Sequence, residues 1–234
     1  MTPRGALLLF ARSPRLGQVK SRLMPRFSAA EALALHCALL MDSLDLVTRA
    51  AQACAATPLL YLSEAGEVDA ALSAHLGAMT VKIQQGADLG ERLLSAFREC
   101  FETEHREIVV LGSDSPHLPD AYVARAFEEL RKAEIVIGPA RDGGYYLLGA
   151  SRLPASLLTD MPWGTPQVYR ETVRRARKDG VSITSLPAWY DVDRPESVIQ
   201  LWRDLASRRS RGEDPLPRAC LSLLEAWDRG NRLG

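Results

Sequence analysis

The chain lacks any apolar run close to the roughly 20 residues needed to cross a bilayer, so a membrane span is not expected. It also lacks paired cysteines. Cys37, Cys54, Cys100 and Cys220 are widely spaced and form no Cys-x-x-Cys. That argues against a zinc site or a disulfide framework and for reduced thiols in a cytoplasmic protein. The P-loop is missing, because Gly17 stands three residues before Lys20 and no glycine directly precedes that lysine. The dinucleotide fingerprint fails for want of its three glycines. Net charge is absent as well: 29 Lys and Arg balance 29 Asp and Glu, which removes the bulk attraction expected of a nucleic-acid binder. The N-terminal apolar run is short and has no small-residue cleavage site, so a strand is expected there rather than a leader.

One local absence is the most informative. Between Met1 and Ala30 there is no Asp or Glu, but there are six Arg or Lys. The cations cluster in Arg12-Ser13-Pro14-Arg15-Leu16-Gly17-Gln18-Val19-Lys20-Ser21-Arg22-Leu23, directly after the apolar run Gly5 to Ala11. A cationic, glycine-containing loop leaving a strand's carboxyl end is where open α/β sheets bind phosphorylated ligands. A solvated basic surface loop is the plain alternative.

Apolar runs alternate with helical patterns along the remaining chain. Strands are expected at Ala6–Phe10, Pro58–Leu62, Thr80–Gln84, Glu107–Leu111, Glu134–Ile137, Tyr145–Leu148, Ser182–Leu186 and Trp189–Val192. Helices are expected at Ala29–Ala53, Glu67–Leu76, Leu89–Glu102, Asp120–Lys132, Pro166–Lys178 and Pro195–Ser207. Such alternation predicts a three-layer α/β/α sandwich around a mostly parallel sheet. Glu134–Ile137 and Tyr145–Leu148 lie too close for a crossover helix, which predicts a local antiparallel section. Residues 1–207 read as one domain and 208–234 as a helical extension, with Leu221, Leu224 and Trp227 on one stripe.

Four more blocks carry chemistry. In Gly112-Ser113-Asp114-Ser115-Pro116, a carboxylate follows a buried strand at the ligand edge of the sheet, where a hard oxygen donor suits Mg²⁺ or Mn²⁺; capping of the next turn is the plain reading of Asp114. Gly138-Pro139-Ala140-Arg141-Asp142-Gly143-Gly144-Tyr145 again follows a strand; its glycines permit close approach of a ligand or merely a tight turn, and Asp142 could take a proton from an acceptor hydroxyl or hold the acceptor. Asp191 and Asp193 alternate along the expected strand Trp189–Val192, so either is a candidate second metal ligand beside Asp114, while Asp193 alternatively caps a helix. In the polar loop Gln84-Gln85-Gly86-Ala87-Asp88-Leu89-Gly90-Glu91-Arg92, glutamine amides could read a base edge. Trp163 could stack on a ligand or serve the core, and His117 reads as incidental.

Taken together in this order, the blocks resemble the nucleotide-diphospho-sugar transferase superfamily with its GT-A-like fold. More narrowly, they resemble bacterial glycosyltransferase-like proteins associated with radical-SAM or selenium genes or with arsenosugar synthesis. Ala11, Pro14, Gly17, Val19, Lys20, Arg22 and Leu23 match that family's first motif. Gly112, Asp114 and Pro116 match its second, Gly138, Pro139, Asp142, Gly143, Gly144 and Tyr145 its third, and Asp191, Asp193 and Pro195 its last. The resemblance covers about residues 5 to 205.

It implies a metal-dependent transferase with a nucleotide or nucleotide-sugar donor and a small-molecule acceptor. The donor site would comprise Ala11, Arg12, Pro14, Gly17, Lys20, Arg22, Gln85, Gly86, Leu89 and Arg92. Mg²⁺ or Mn²⁺ would sit on Asp114 and Asp193, and Asp142, Gly143, Gly144 and Trp163 would face the acceptor. Lys20, helped by Arg12, Arg15 and Arg22, would neutralise phosphate charge, and Asp142 would serve as the second catalytic group. Glycosyl transfer is the first expectation. Nucleotidyl transfer to a phosphorylated acceptor, as in the related 2-phospholactate guanylyltransferase, is the alternative; it gains because Gly112-Ser113-Asp114 stands where many glycosyltransferases carry Asp-x-Asp. A catalytically inactive nucleotide-binding protein is a third reading. A homo-oligomer is left open.

Overall fold

The computed structural model describes residues 4–24, 26–65 and 70–233. Seven strands form one sheet in the order β3-β2-β1-β4-β6-β5-β7. The strands are β1 (Gly5–Ala11), β2 (Ala56–Leu62), β3 (Thr80–Ile83), β4 (Glu107–Gly112), β5 (Ile135–Pro139), β6 (Tyr145–Ala150) and β7 (Ile183–Ser185). The pairs β1–β2, β1–β4, β2–β3 and β5–β7 are parallel, and β6 runs antiparallel to both β4 and β5. The antiparallel section therefore lies where the short β5–β6 spacing predicts it.

The helices are α1 (Ala29–Ala53), α2 (Ala70–Leu76), α3 (Leu89–Glu102), α4 (Asp120–Glu129), α5 (Val168–Lys178), α6 (Pro195–Ser210) and α7 (Arg218–Arg229). The expected helix Glu67–Leu76 falls partly outside the described residues. α1 starts where Ser28 accepts the Glu31 amide and Glu31 reaches back to the Ser28 amide, a reciprocal cap that satisfies two orphan donors.

Apolar residues of β1 point alternately to the two faces of the sheet. Leu7 and Leu9 join one core with Leu40, Leu44 and Val47 of α1 and Val123 and Phe127 of α4. Ala6, Leu8 and Phe10 join the other, with Leu93 and Phe97 of α3 and Ala176 of α5. A strand buried on both faces carries a continuous apolar run, and each buried Leu contributes roughly 1.5–3 kcal/mol relative to exposure. The third core lies behind α1, where Leu35 and Leu39 meet Leu201 of α6 and Leu224 and Trp227 of α7. The C-terminal helix is thus folded onto α1. The Asp42 carboxylate of α1 accepts the amides of Ala219 and Cys220 at 2.9 and 2.7 Å, satisfying two donors at the start of α7.

Three expected elements differ. Trp189–Val192 is not a strand: it makes one bridge, Trp189 to Ala140. Its other backbone groups are tied to loops, since the Val192 amide donates to the Asp114 carbonyl and Ser115 Oγ donates to the Tyr190 carbonyl. α4 ends at Glu129 in a tight turn rather than reaching Lys132. α5 starts at Val168 because Pro166 is pressed against Gly143 and the Tyr169 amide donates to the Gly143 carbonyl.

Candidate active site

The carboxyl ends of β1, β2, β3, β4 and β5 all reach the same edge of the sheet, as their parallel directions require. A cleft of about 910 Å³ opens there. Its wall takes Arg12, Gln18, Lys20 and Arg22 from the loop after β1, Ser63 and Glu64 from the end of β2, and Gln84 from the end of β3. Asp88, Leu89 and Arg92 come from the start of α3, Asp114 from the end of β4, Asp142 from the β5–β6 turn, and Asp191 and Asp193 from the segment before α6.

Lys20 is the centre of this arrangement. Its φ of 52° is left-handed, a conformation costly for a residue with a Cβ. The side chain is 3% exposed, and Nζ lies 2.7 Å from Asp114 Oδ1 while donating to the Val192 carbonyl at 2.6 Å. A buried ammonium needs such partners. The Asp114 side chain is 41% exposed to the cleft. Burial pushes its carboxyl up, but the charge and hydrogen bond of Lys20, with Arg12 behind it, outweigh that and hold it below the usual carboxylate range. His36, on α1, is itself kept neutral by burial and pairs through Nε2 with the Arg12 carbonyl at 2.9 Å.

The two late carboxylates differ in environment. Asp193 Oδ2 is held by Arg22 at 2.8 Å. Among the described residues Asp191 has no such cation: burial first, then the charges of Asp142, Asp114 and Asp193, push it up to about 6. Asp142 lines the cleft and accepts the Gly144 amide through Oδ1 at 2.9 Å. Hence Asp114, Asp142 and Asp191 form a carboxylate cluster with Lys20 beside it.

Of the residues expected to bind the donor, Ala11, Arg12, Lys20, Arg22, Leu89 and Arg92 line the cleft. Pro14 and Gly17 do not; Gly17, at φ 74°, shapes the loop instead. Arg15 is turned onto Glu64 at 3.1 Å. Gln85 is exposed and bonds the Ile83 carbonyl, so Gln84 occupies the wall. Gly86 closes its own loop: a Cβ there would meet Glu91 and the Arg92 amide at 2.6 and 2.7 Å, and Arg92 Nε donates to the Gly86 carbonyl. Gly143, Gly144 and Trp163 lie behind the wall. A Cβ on Gly143 would meet Pro166 backbone at 2.2 Å, and the Trp163 indole packs edge-on against Tyr145 in the core. Gln84, which heads the polar loop expected to read a base edge, lines the cleft, whereas Ser63, Glu64 and His36 line it without any expectation from the sequence. Ser63 and Glu64 follow a strand end and could have been found by that position, whereas a lone histidine on a helix gives no signal.

A family described as "uncharacterized protein conserved in bacteria" (DUF2064) matches residues 46–165, spanning Asp114 and Asp142. A 3-phospho-D-glycerate guanylyltransferase of Phenylobacterium zucineum (strain HLK1) is 32% identical over 202 residues, covering 82% of this chain and 87% of that protein. The chain belongs to the DUF2064 family. This DUF2064 chain also superposes on the crystal structure of a proposed nucleotide-diphospho-sugar transferase from Desulfovibrio desulfuricans G20. The TM-score is 0.84 at 29% identity, over 98% of this chain and 96% of that one. It shares its fold with 4-diphosphocytidyl-2C-methyl-D-erythritol synthase, at TM-score 0.55 and 13% identity over 84% and 95% of the two chains. The DUF2064 chain is therefore a transferase enzyme with a GT-A-like fold. These relatives reverse the order of the two expected reactions, because the curated relative is a nucleotidyltransferase and not a glycosyltransferase.

Proposed function

We propose that this protein is a guanylyltransferase-like nucleotidyltransferase joining a nucleoside triphosphate to a phosphorylated small acceptor. The observation that carries the reading is the buried Lys20 ammonium paired with Asp114 at 2.7 Å, beside Asp142 and Asp191 in one cleft. The likeness to a guanylyltransferase supports it and suggests guanine as the base.

An acceptor phosphate oxygen attacks the α-phosphorus, the bond from that phosphorus to the bridging oxygen breaks, and pyrophosphate leaves. The nucleophile is already an anion, so the step needs no general base. In this reading Asp142 orients rather than deprotonates. Lys20 lies where charge develops on the phosphates, and its fixed position avoids reorganisation during the reaction. Arg12 and Arg92 give the triphosphate further positive charge at the cleft wall.

The donor set suits a hard divalent ion. Asp191 is raised to about 6 by burial and three neighbouring carboxylates, so negative charge there exceeds what Lys20 balances. Asp114 and Asp191 would hold Mg²⁺ or Mn²⁺, and Asp193 would keep Arg22 in place. The ion would supply charge neutralisation between the phosphates. The test is to incubate the protein with Mg²⁺, GTP and phosphorylated acceptors. Pyrophosphate release is expected; nucleoside diphosphate release from nucleotide sugars alone would return the reaction to glycosyl transfer.

A further inference from the structure

Most cations of the loop after β1 are already matched to carboxylates: Arg15 is on Glu64, Lys20 on Asp114 and Arg22 on Asp193. Arg12 differs. It is exposed on the cleft wall, and its guanidinium makes no ion pair or hydrogen bond among the described residues. Its backbone, by contrast, is held on both sides. Before it, the Ala11 carbonyl accepts the Ser63 amide at 2.9 Å and the Gln84 side-chain amide at 3.2 Å. After it, one peptide unit is gripped at both poles. His36 Nε2 donates to the Arg12 carbonyl at 2.9 Å, and the Ser13 amide donates to Ser63 Oγ at 3.0 Å. A carbonyl only accepts, so neutral His36 bears its proton on Nε2. His36 and Ser13 are both buried, so water does not readily replace either partner once it is lost.

The ends of β1 and β2 and the middle of α1 therefore converge on the backbone of a cation that is itself unmatched. A long side chain on a fixed backbone has only its own rotamers to lose when it meets an anion, which leaves more of the contact energy for binding. We infer that His36 and Ser63 are positioning residues that aim Arg12 at the phosphates of the bound nucleotide, and that they act on that ligand only through the Arg12 guanidinium. The inference rests on the nucleotidyl-transfer reading for the identity of the anion. It adds two residues, from α1 and from the end of β2, that lie outside the cationic loop and touch no reacting atom.

A double-mutant cycle in the full chain tests it. Calorimetry with Mg²⁺ and the α,β-methylene analogues of GTP, ATP, CTP and UTP identifies the tightest unreactive triphosphate. That analogue is then titrated into Arg12→Ala, His36→Gln, and His36→Leu and Ser63→Ala each alone and combined with Arg12→Ala. Arg12→Ala is expected to weaken binding about tenfold or more, the scale of one charge-assisted contact. His36→Leu and Ser63→Ala should each weaken it about threefold or more, and that loss should nearly vanish once Arg12 is Ala, since coupled residues are not additive. His36→Gln, which returns an N–H donor to the place of Nε2, should recover most of the affinity. Should His36→Leu fail to fold, Ser63→Ala at a half-buried hydroxyl carries the same cycle. Losses that persist undiminished without the Arg12 guanidinium overturn the inference, as do single variants that bind like the unaltered chain. A glutamine no better than leucine overturns His36 as the donor. Coupling without pyrophosphate from GTP and any phosphorylated acceptor upholds the positioning role and overturns nucleotidyl transfer. Pyrophosphate release with uncoupled losses does the reverse, and a chain that binds none of the four analogues overturns both.

Discussion

Lys20 and Val192 hold each other across the cleft. The ammonium donates to the Val192 carbonyl at 2.6 Å over a separation of 172 residues, while the Val192 amide donates to the Asp114 carbonyl. The first loop, the end of β4 and the segment before α6 are thereby locked into one unit. The carboxylates and the ammonium are placed before any ligand arrives, which is what electrostatic stabilisation of a charged transition state requires.

Lys20→Ala should lower turnover in the pyrophosphate assay by about 10²–10³-fold, the usual scale for removing one fixed charge-stabilising donor. Nucleotide affinity, read by calorimetry, should weaken much less, because Arg12 and Arg92 remain. Equal losses in both would mean that Lys20 serves binding alone. Lys20→Arg should not restore the rate, since a planar fork does not fit a site built for a compact ammonium.

The two late carboxylates should separate in a Mn²⁺ titration. Asp191→Asn is expected to raise the ion concentration needed for half-maximal turnover by about tenfold or more, as loss of a ligand does. Asp193→Asn should act instead by freeing Arg22 and should shift that concentration less. The opposite ranking would move the ion to Asp193.

His117 sets an acid limit on stability. It is buried, both ring nitrogens lack hydrogen-bond partners among the described residues, and the ring packs against Tyr190 with 4.2 Å between centroids. Burial first, then Arg208 and Arg141, lower its pKa from 6.5 to about 3. The unfolded chain therefore binds a proton below pH 6.5 that the folded state refuses, so stability falls as pH drops through that window. His117→Phe should remove about 2 kcal/mol of the stability lost between pH 7 and 5, given about 1.4 kcal/mol per pH unit for one proton. Urea unfolding at the two pH values checks this; an unchanged difference would show that His117 titrates normally.

Gly143 and Gly144 should respond differently to alanine. Gly143 has φ 94°, and a Cβ would strike the Pro166 backbone at 2.2 Å, whereas a Cβ on Gly144 would meet only the Asp142 carboxylate at 3.3 Å. Gly143→Ala is expected to cost about 2–4 kcal/mol of strain and displaced backbone, and Gly144→Ala less than about 1 kcal/mol. Denaturant midpoints give the comparison. Equal effects would mean that the 161–167 segment yields easily.

Much of the fold is legible in the sequence because burial leaves a periodic trace. The unbroken run Gly5–Ala11 marks a central strand, Ser28 and Glu31 mark the start of α1, and the short gap after β5 marks a reversal. Trp189–Val192 misleads because its apolar residues serve the core behind α1: Tyr190 and Val192 pack with Leu201 and Leu224, and the backbone pairs with loops instead of a ladder. Site residues found in the sequence are those that follow strands directly, such as Arg12, Asp114 and Asp142. Ser63 and Glu64 occupy the same kind of position without a motif to draw attention to them.

The sequence by itself determined the strand and helix order and the set of cations and carboxylates that sheet direction brings to one edge. Periodicity records which face of an element is buried, and that is a local property. Only the tertiary structure decided the partnerships: Lys20 with Asp114, Arg22 with Asp193, and Asp191 left among carboxylates. A charge's partner depends on which strand ends converge and on how far each side chain is withdrawn from water, and neither quantity is written in the spacing of residues along the chain.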